Sequence, residues 1–418
     1  MNRTSLFTAA ALLTALVPLR GQDKPTLKPY GFIRSYAHYD SRATKSLAED
    51  TFFFIPMDEY IVGGNDLNAV GSYNYQGITT RLGVDLANYQ VGDTKIAGKI
   101  ESDFYCLNSG GNTGTLRMRQ AYVNLLWDGR GSNGTTDYSL KIGQGWHPMA
   151  ADLVHGVNLE TGAPFTPFNR SAQVNFESTF NKKVTLTAAL IQQLQYRSAG
   201  PAGASNKYQR HAVPELYLGV SAKSGGLLSR VGVSVLSIRP QYGYNSVTGA
   251  KYTDWLTTVS PFFYIQYTDG LFQIKAKSIL AQAGEHMQLN GGYAATAIKS
   301  DGISMEYTPI RSTVSFISAQ YGKTWQVLGM VGYQKNLGTS DPILDINHIY
   351  FSGNGYSNID SMIRVTPTLM YNLGKMQFAL EYDLTTVCYG TSLDSYVIPG
   401  GLHWVTNHRL LVMTKLNF

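Results

Sequence analysis

The stretch RLLVMTKLNF, residues 409–418, decides the fold. With a period of two, one face of this stretch carries Leu410, Val412, Thr414, Leu416 and Phe418. The other face is mostly polar, so the pattern predicts a β-strand with one apolar face. The last residues of soluble domains usually fray, and nothing there favours a phenyl ring. We therefore expect a neighbouring strand to hold this segment in place.

The same alternation recurs along the chain and predicts sixteen strands. These lie near residues 29–40, 71–87, 94–105, 115–127, 137–147, 170–180, 183–196, 212–223, 228–239, 255–267, 271–283, 306–321, 324–336, 361–372, 376–388 and 404–418. A soluble sandwich also alternates, so the period alone does not settle the class. No segment has a clear helical pattern, and the prediction is an all-β chain.

The connections between the predicted strands alternate in length. Short connections such as FNKK, TDG and YGK are separated by longer ones, for example residues 41–70 and 284–305. Tight periplasmic turns, long extracellular loops and an even strand number are typical of a transmembrane antiparallel β-barrel. Because open sheet edges are not tolerated in lipid, the last strand should pair with the first. Phe418 would then face outward at the periplasmic membrane interface.

The first residues differ from the rest of the chain. A positive start, an apolar run from Leu6 to Leu19 and a small residue at Gly21 are typical of a secretory signal. The prediction is therefore a signal peptide over residues 1–22 and an outer-membrane barrel over residues 23–418. The predicted location is the outer membrane of a Gram-negative bacterium, with lipid around the barrel.

A sixteen-strand barrel is wide enough for an aqueous channel, so its inner face should be polar. Strand parity predicts these pore-lining residues: Arg81, Lys95, Lys99, Glu101, Asp103, Arg117, Arg119, Lys141, Lys275, Lys277, Arg364, Glu381, Asp383 and Arg409. The basic side chains of consecutive strands predict one positive wall and a mild anion preference. The alternative is ordinary solvated lumen residues, balanced by nearby Asp and Glu.

The segment 147–170 is unusually apolar for a loop, and a loop of this kind should be packed. Folded into the barrel, it would narrow the pore and place two carboxylates across from the basic wall. The predicted constriction residues are Asp152, Glu160, Phe165 and Phe168. The alternative is an external loop packed against a neighbouring subunit.

Other kinds of chemistry lack a signal. No G-x-S-x-G, H-E-x-x-H, C-x-x-C or Walker sequence occurs, so no enzyme is predicted. Asp and Asn residues of the loop 339–360 are ordinary loop residues, although calcium binds such oxygens. Cys106 and Cys388 do not make a disulfide framework. No cofactor, metal or nucleic-acid partner is expected.

Three stretches resemble one family: TLRMRQAYVNL at 115–125, KIGQGWHPMAAD at 141–152 and NLETGAPFTPFNRSAQV at 158–174. They are similar to DcaP-like trimeric porins of Gram-negative bacteria. The resemblance implies a barrel of about sixteen strands, a homotrimer, an inward-folded third loop and passive solute uptake. It maps an arginine-lined lumen onto Arg117 and Arg119. The terminal Phe418 resembles the signal that the barrel-assembly machinery recognises.

The predicted function is passive diffusion of small hydrophilic solutes through an outer-membrane porin. Two alternatives remain open at this point. One is a substrate-specific channel, for example for dicarboxylates. The other is a closed structural or adhesive barrel that binds a partner through its surface loops.

Overall fold

The computed structural model of the chain describes most of the sequence after residue 24. The described residues are 25–47, 52–77, 79–107, 114–131, 134–150, 152–158, 162–194, 199–201, 203–204, 213–351 and 358–418. The predicted signal peptide, residues 1–22, lies outside them and stays a prediction.

Sixteen antiparallel strands form one closed barrel, and the second and fourteenth are each split in two. They are β1 (Thr26–Asp40), β2 (Ser72–Gln76 and Arg81–Val91), β3 (Thr94–Leu107), β4 (Gly114–Arg130), β5 (Thr136–Trp146), β6 (Arg170–Phe180), β7 (Val184–Gln192), β8 (Glu215–Ser224), β9 (Leu227–Ile238), β10 (Leu256–Asp269), β11 (Phe272–Gln282), β12 (Arg311–Gly322), β13 (Trp325–Gly338), β14 (Ile359–Val365 and Thr368–Leu373), β15 (Met376–Tyr389) and β16 (His403–Asn417). The predicted strand number and fold class are confirmed.

The barrel closes between β1 and β16, in a register that runs from Phe32 opposite Asn417 to Asp40 opposite Arg409. Beyond β16, the backbone N–H of Phe418 donates to the carbonyl of Gly31 at 3.1 Å. The Phe418 ring lies against Gly31, where a Cβ atom would come within 2.7 Å of the ring. The first strand therefore holds the final residue in place, as the sequence predicts.

Strand β16 keeps the alternation predicted for it. Leu410 and Val412 are each half exposed on the outer face, while Arg409 is fully buried on the inner face. The inner face also holds Leu411 and Met413, which pack with Tyr36 of β1. The outer surface of the barrel is thus apolar where hydrocarbon would touch it, as a lipid-facing band requires.

The connections are short at one end of the barrel and long at the other. Further short strands lie in the long loops: Thr44–Leu47, Phe52–Pro56, Ile61–Val62, Asn65–Asp66, Ala199–Gly200, Gly203–Ala204, Tyr293–Ile298, Met305–Pro309, Ile349–Tyr350, Ser392–Leu393 and Pro399–Gly400. Single turns of 3₁₀-helix lie at Pro148–Ala150, Gly284–Met287 and Ile346–His348. Among the described residues, no helix has the length and apolar character needed to cross a membrane.

Besides the predicted strand 71–87, which is split between Gln76 and Arg81, two predicted strands differ from the structure for identifiable reasons. The predicted strand 361–372 is interrupted before Thr368, because Pro367 has no N–H group for the ladder. The N–H of Thr366 still donates to Met330 at 2.9 Å, so the sheet stays continuous. The start of the predicted strand 306–321 belongs to Met305–Pro309, which pairs with Tyr293–Ile298 in a loop hairpin.

Candidate functional site

The third long loop, residues 147–169 between β5 and β6, enters the barrel instead of standing above it. Met149, Val154, Phe165 and Phe168 are buried and share one apolar cluster with inner-wall residues of several strands. The Phe165 ring lies against Gly332 of β13, where a Cβ atom would come within 2.4 Å of the ring. The loop, called loop 3 below, therefore crosses the interior.

The far end of loop 3 is held by one carboxylate of β15. The N–H groups of Val157 and Asn158 donate to the two oxygens of Glu381 at 2.6 and 2.8 Å. The Thr368 hydroxyl donates to the same carboxylate at 2.6 Å. The Tyr36 hydroxyl donates to the carbonyl of Val157 at 3.1 Å. These four bonds, called the latch below, fix the tip of the loop on the wall opposite its origin.

The middle of loop 3 is held by basic side chains of β9 and β11. Lys277 donates to the carbonyl of Met149 and forms an ion pair with Asp152 at 3.0 Å. Arg230 forms a second ion pair with Asp152. Lys275 donates to the carbonyl of Leu153 at 3.0 Å. Asp152 is thus paired with basic side chains of β9 and β11, and its role in a constriction stays a prediction.

One histidine of loop 3 is enclosed at this point. The backbone N–H of His155 donates to the Ser318 hydroxyl at 2.7 Å, and the side chain is 7% exposed. Burial, together with the smaller effect of the Lys275 charge, lowers the pKa of His155 to about 4. The imidazole is therefore neutral near pH 7.

The root of loop 3 is also buried and hydrogen-bonded. The N–H of Met149 donates to Nδ1 of His147 at 3.1 Å, which leaves the hydrogen of a neutral ring on Nε2. That Nε2 lies 3.0 Å from a carboxylate oxygen of Glu215 on β8. The N–H of His147 donates to the carbonyl of Asn169 at 3.0 Å, so the two ends of the loop are joined.

A set of arginines lines the inner surface on β1, β2, β4 and β6. Its β1 end adjoins the latch, since the guanidinium carbon of Arg34 lies 5.0 Å from the Tyr36 ring centroid. This arginine wall consists of Arg34, Arg81, Arg117, Arg119 and Arg170. The guanidinium carbons of Arg34 and Arg81 each lie 4.9 Å from the Phe32 ring centroid. Those of Arg119 and Arg170 lie 5.9 and 5.1 Å from the Trp146 ring centroid. Cation–π contacts therefore organise both ends of the wall.

Two carboxylates of β3 partly neutralise the arginine wall. Arg119 bonds Glu101 at 2.7 Å and Asp103 at 2.5 Å. Arg117 makes two bonds of 3.0 Å to Asp103. Among the residues that the structure describes, the carboxylates bonded to this wall are those of Glu101 and Asp103. Within the described residues, none of the Arg170 side-chain nitrogens has a hydrogen-bond partner, although the side chain is fully buried.

Three other predicted basic residues lie at the edges of this wall. Lys99 forms an ion pair with Asp85 at 2.7 Å, and Lys95 forms one with Asp128 at 2.5 Å on a more exposed surface. The Lys141 ammonium lies 5.2 Å from the Tyr122 ring centroid. The structure thus brings the basic residues of β2–β5 to one side of the interior, but pore lining stays a prediction.

The predicted residues of β14–β16 are enclosed beneath loop 3 or by one another. Arg364 donates to the carbonyl of Ala163 at 3.2 Å, and its guanidinium lies 5.2 Å from the Phe165 ring centroid. Arg409 makes two bonds of 2.8 and 2.7 Å to Asp40. Asp383 is 1% exposed, as is Glu381. Arg364, Glu381 and Asp383 contact loop 3, and strand parity could not distinguish that role from contact with water.

Two functional candidates escaped the sequence reasoning. Arg230 lies on the same inner face of β9 as Ser234. The apolar Val231 and Val233 on the opposite face could have predicted that Arg230 points inward. The alternation does not predict that Arg170 is buried. In β6 the inward residues Gln173 and Asn175 have odd numbers, so an even-numbered residue would be expected to face outward. Glu160 lies outside the described residues. In the described part of the chain, no His, Cys, Asp and Glu side chains group as a metal site would require.

Two cavities adjoin loop 3. One of about 390 Å³ is lined by Lys141, Trp146, Pro148 and Arg230, among others. The other, of about 300 Å³, lies between Leu153–Val157 and inner-wall residues that include Gln326 and Lys415. Loop 3 therefore narrows the interior without filling it.

Residues 17–193 match the DcaP outer membrane protein family. The resemblance predicted from the sequence is thereby confirmed over the part of the chain that contains loop 3 and the whole arginine wall. With the closed barrel, this match places the chain in the outer membrane of a Gram-negative bacterium. Comparison with curated proteins gives no match.

Solved structures with the same fold are outer-membrane channels. The chain is similar to the outer membrane channel DcaP of Acinetobacter baumannii, with 17% identity, a TM-score of 0.66 and coverage of 96% of this chain and 100% of that one. It is also similar to an anion-selective porin from Comamonas acidovorans, with 10% identity, a TM-score of 0.54 and coverage of 94% and 100%. The trimer form of OmpT from Vibrio cholerae shares 12% identity, with a TM-score of 0.52 and coverage of 95% and 100%.

Proposed function

We propose that this chain is an outer-membrane porin through which small hydrophilic solutes diffuse passively, with a preference for anions. The observation that carries the proposal is loop 3, which crosses the interior and is latched to Glu381 on the far wall. A loop that only covered a closed barrel would not need such a path. A loop fixed at mid-lumen sets the width of the passage, and width and lumen charge determine the flux through a pore.

The arginine wall supports the preference for anions. Five guanidinium groups are gathered on one side of the interior, and in a narrow passage such a group of cations raises the local concentration of anions. On the opposite side, Asp152 pairs with both Lys277 and Arg230 and offsets one of their two charges. The field across the passage should therefore be asymmetric, with its positive side on β1–β6.

A test compares ion preference in single channels. Arg117 is 24% exposed at its side chain, so Arg117→Gln removes a lumen charge while Arg119 still pairs with Asp103. We expect the reversal potential in a salt gradient to move toward that of a non-selective pore. The control is Lys95→Gln, which removes an equal charge from an exposed pair. If the wild-type protein forms no channels, the porin function is contradicted. If Arg117→Gln leaves the reversal potential unchanged, the contribution of the arginine wall to anion preference is contradicted.

A substrate-specific anion channel is the second candidate, and the same wall favours it. The buried guanidinium of Arg170 beside Arg119 gives the wall a strong local field that a general pore does not need. Titration of the ion current with a dicarboxylate separates the two. Saturable block at low concentration favours the specific channel, whereas a linear dependence favours general diffusion.

Assembly as a homotrimer belongs to the same proposal. It is supported by the trimeric OmpT of similar fold and by small outer-face residues of β3, namely Gly98 and Ser102. Chemical crosslinking in native membranes should give trimers, and monomers alone would contradict it. Phe418 faces outward beside Gly31, where barrel-assembly machinery and lipid could both reach it.

A further inference from the structure

The extracellular end of the β9–β10 hairpin holds a crevice that the pore does not use. Beyond Ile238 and Leu256 the two chain segments separate, and they meet again at the bridge between Tyr244 and Lys251. The space between them has a volume of about 590 Å³. Its lining residues are Arg239, Gln241, Tyr242, Gly243, Tyr244, Lys251, Tyr252, Thr253, Asp254 and Trp255.

The crevice opens away from the lumen because the next loop closes its inner side. The N–H of Met305 donates to Asp254 at 2.6 Å, and the N–H of Thr253 donates to the Ser304 hydroxyl at 3.0 Å. Arg239, Lys251 and Trp255 are exposed on the other side. A ligand would therefore enter from the surroundings of the barrel.

The outer face of the same strands shows the depth of the crevice relative to the membrane. Val259 and Phe263 of β10 are exposed and apolar, and Tyr267 ends this band at the side of the tight turns. At the other end Trp255 donates to the Thr257 hydroxyl at 3.0 Å, which is the place of an interfacial aromatic residue. The crevice thus begins where the hydrocarbon ends, in the headgroup layer of the outer leaflet.

The chemistry of the lining fits a phosphorylated sugar. The Arg239 guanidinium lies 5.4 Å from the Trp255 ring centroid, which fixes it while its nitrogens remain able to donate. Neither Arg239 nor Lys251 forms an ion pair with any residue that the structure describes. Aromatic rings suit the apolar faces of sugar rings, and guanidinium and ammonium groups suit phosphate. Asp254, the one acid of the lining, has its oxygens occupied by Met305 and Tyr307, and burial raises its pKa.

We propose that this crevice binds a phosphorylated sugar headgroup of the outer-leaflet glycolipid, lipopolysaccharide. The cations of the crevice face the leaflet in which that lipid resides, and cations near an anionic lipid surface are attracted to it. The site is separate from the lumen, so it would fix the barrel within the leaflet without changing the passage.

The test measures binding of lipopolysaccharide to the purified barrel in detergent. The double variant Arg239→Gln/Lys251→Gln should bind it about tenfold more weakly than wild type, because two charge-assisted contacts are lost. The control is Lys323→Gln, which removes an exposed charge at the tight turn between β12 and β13 and should bind like wild type. Single-channel conductance should be the same in all three proteins, so a failed pore hypothesis remains distinguishable.

Two further probes decide the source of the ligand. Lipopolysaccharide from which the phosphates have been removed should bind to wild type about as weakly as the intact lipid binds to the double variant. Inorganic phosphate at the same concentration should not displace the lipid. Equal binding by wild type and double variant, equal binding of the dephosphorylated lipid, or displacement by phosphate alone would each overturn the proposal.

Discussion

Two sides of the interior carry similar charged residues and use them differently. On the arginine wall, aromatic rings organise the guanidinium groups. On the latched side, Lys275, Lys277, Glu381 and Arg364 are engaged by the backbone or side chains of loop 3. The difference lies in what engages the charges: aromatic rings and the carboxylates of β3 on the arginine wall, and loop 3 on the latched side.

The largest effect should come from the latch. In Glu381→Gln the side chain keeps its shape, but an NH₂ group replaces one of the two acceptor oxygens, so only one of the Val157 and Asn158 N–H groups keeps an acceptor. Loss of the charge-assisted bonds should weaken docking of the loop by about 3 kcal/mol. We expect a higher single-channel conductance and passage of larger solutes, measured by liposome swelling.

The matched control for the latch is Asp383→Asn. It removes an equal charge from the same strand, where the contact with loop 3 is one bond of 3.5 Å from Asn158. Conductance should stay near that of wild type. An equal increase in both variants would show that net charge, rather than the latch, holds the loop.

A smaller effect should appear on acidification. Because burial lowers the pKa of His155 to about 4, the neutral ring favours the docked loop above the unperturbed pKa of about 6.5. This contribution is lost as the pH falls from about 6.5 toward 4, since the undocked loop binds the proton more tightly. We expect docking to weaken by on the order of tenfold, after allowance for solvent screening.

Protease cleavage within loop 3, followed from pH 7 to pH 4, measures that change. The variant His155→Gln has no titratable ring, so its cleavage rate should depend less on pH over this range. A pH dependence equal to that of wild type would assign the effect to other groups, such as the Asp152 ion pairs with Lys277 and Arg230.

The smallest effect concerns Arg170 of the arginine wall. Its guanidinium has no hydrogen-bond partner within the described residues, so Arg170→Met should leave thermal stability unchanged or slightly higher. The same change should lower the anion-to-cation permeability ratio by about twofold, because a buried charge acts through a low dielectric. Reversal potentials and thermal unfolding, measured together, check both parts. A large loss of stability would show that the ring contacts with Trp146 and Phe168 dominate.

Strand parity predicted the barrel well because lipid imposes one rule on every outer position. Leu410 and Val412 face outward, and Arg409 faces inward, as the alternation requires. The break at Pro367 and the loop hairpin at Met305–Pro309 were missed, since alternation is equally regular in a strand that leaves the sheet. Bounds of the remaining strands depend on where the ladder ends, which the sequence signals only weakly.

The interior was less predictable than the wall. Parity assigns a face to Lys277 and Asp383, but it contains no information on what covers that face. The cover comes from loop 3, whose contacts join residues far apart in sequence, such as Val157 with Glu381. Its apolar composition predicted that it would be packed, whereas its partners follow only from the three-dimensional path.

The pairing of β1 with β16 has a consequence for how the molecule is made. Residues from opposite ends of the sequence, such as Phe32 and Asn417, must find each other to form this seam. Contacts of such long sequence separation form late, and until then both outer strands expose unpaired backbone groups that any other strand could join. The unclosed sheet is thus most prone to pair with other chains just before the barrel closes. A factor that covers one of its two edge strands during that interval would reduce such pairing.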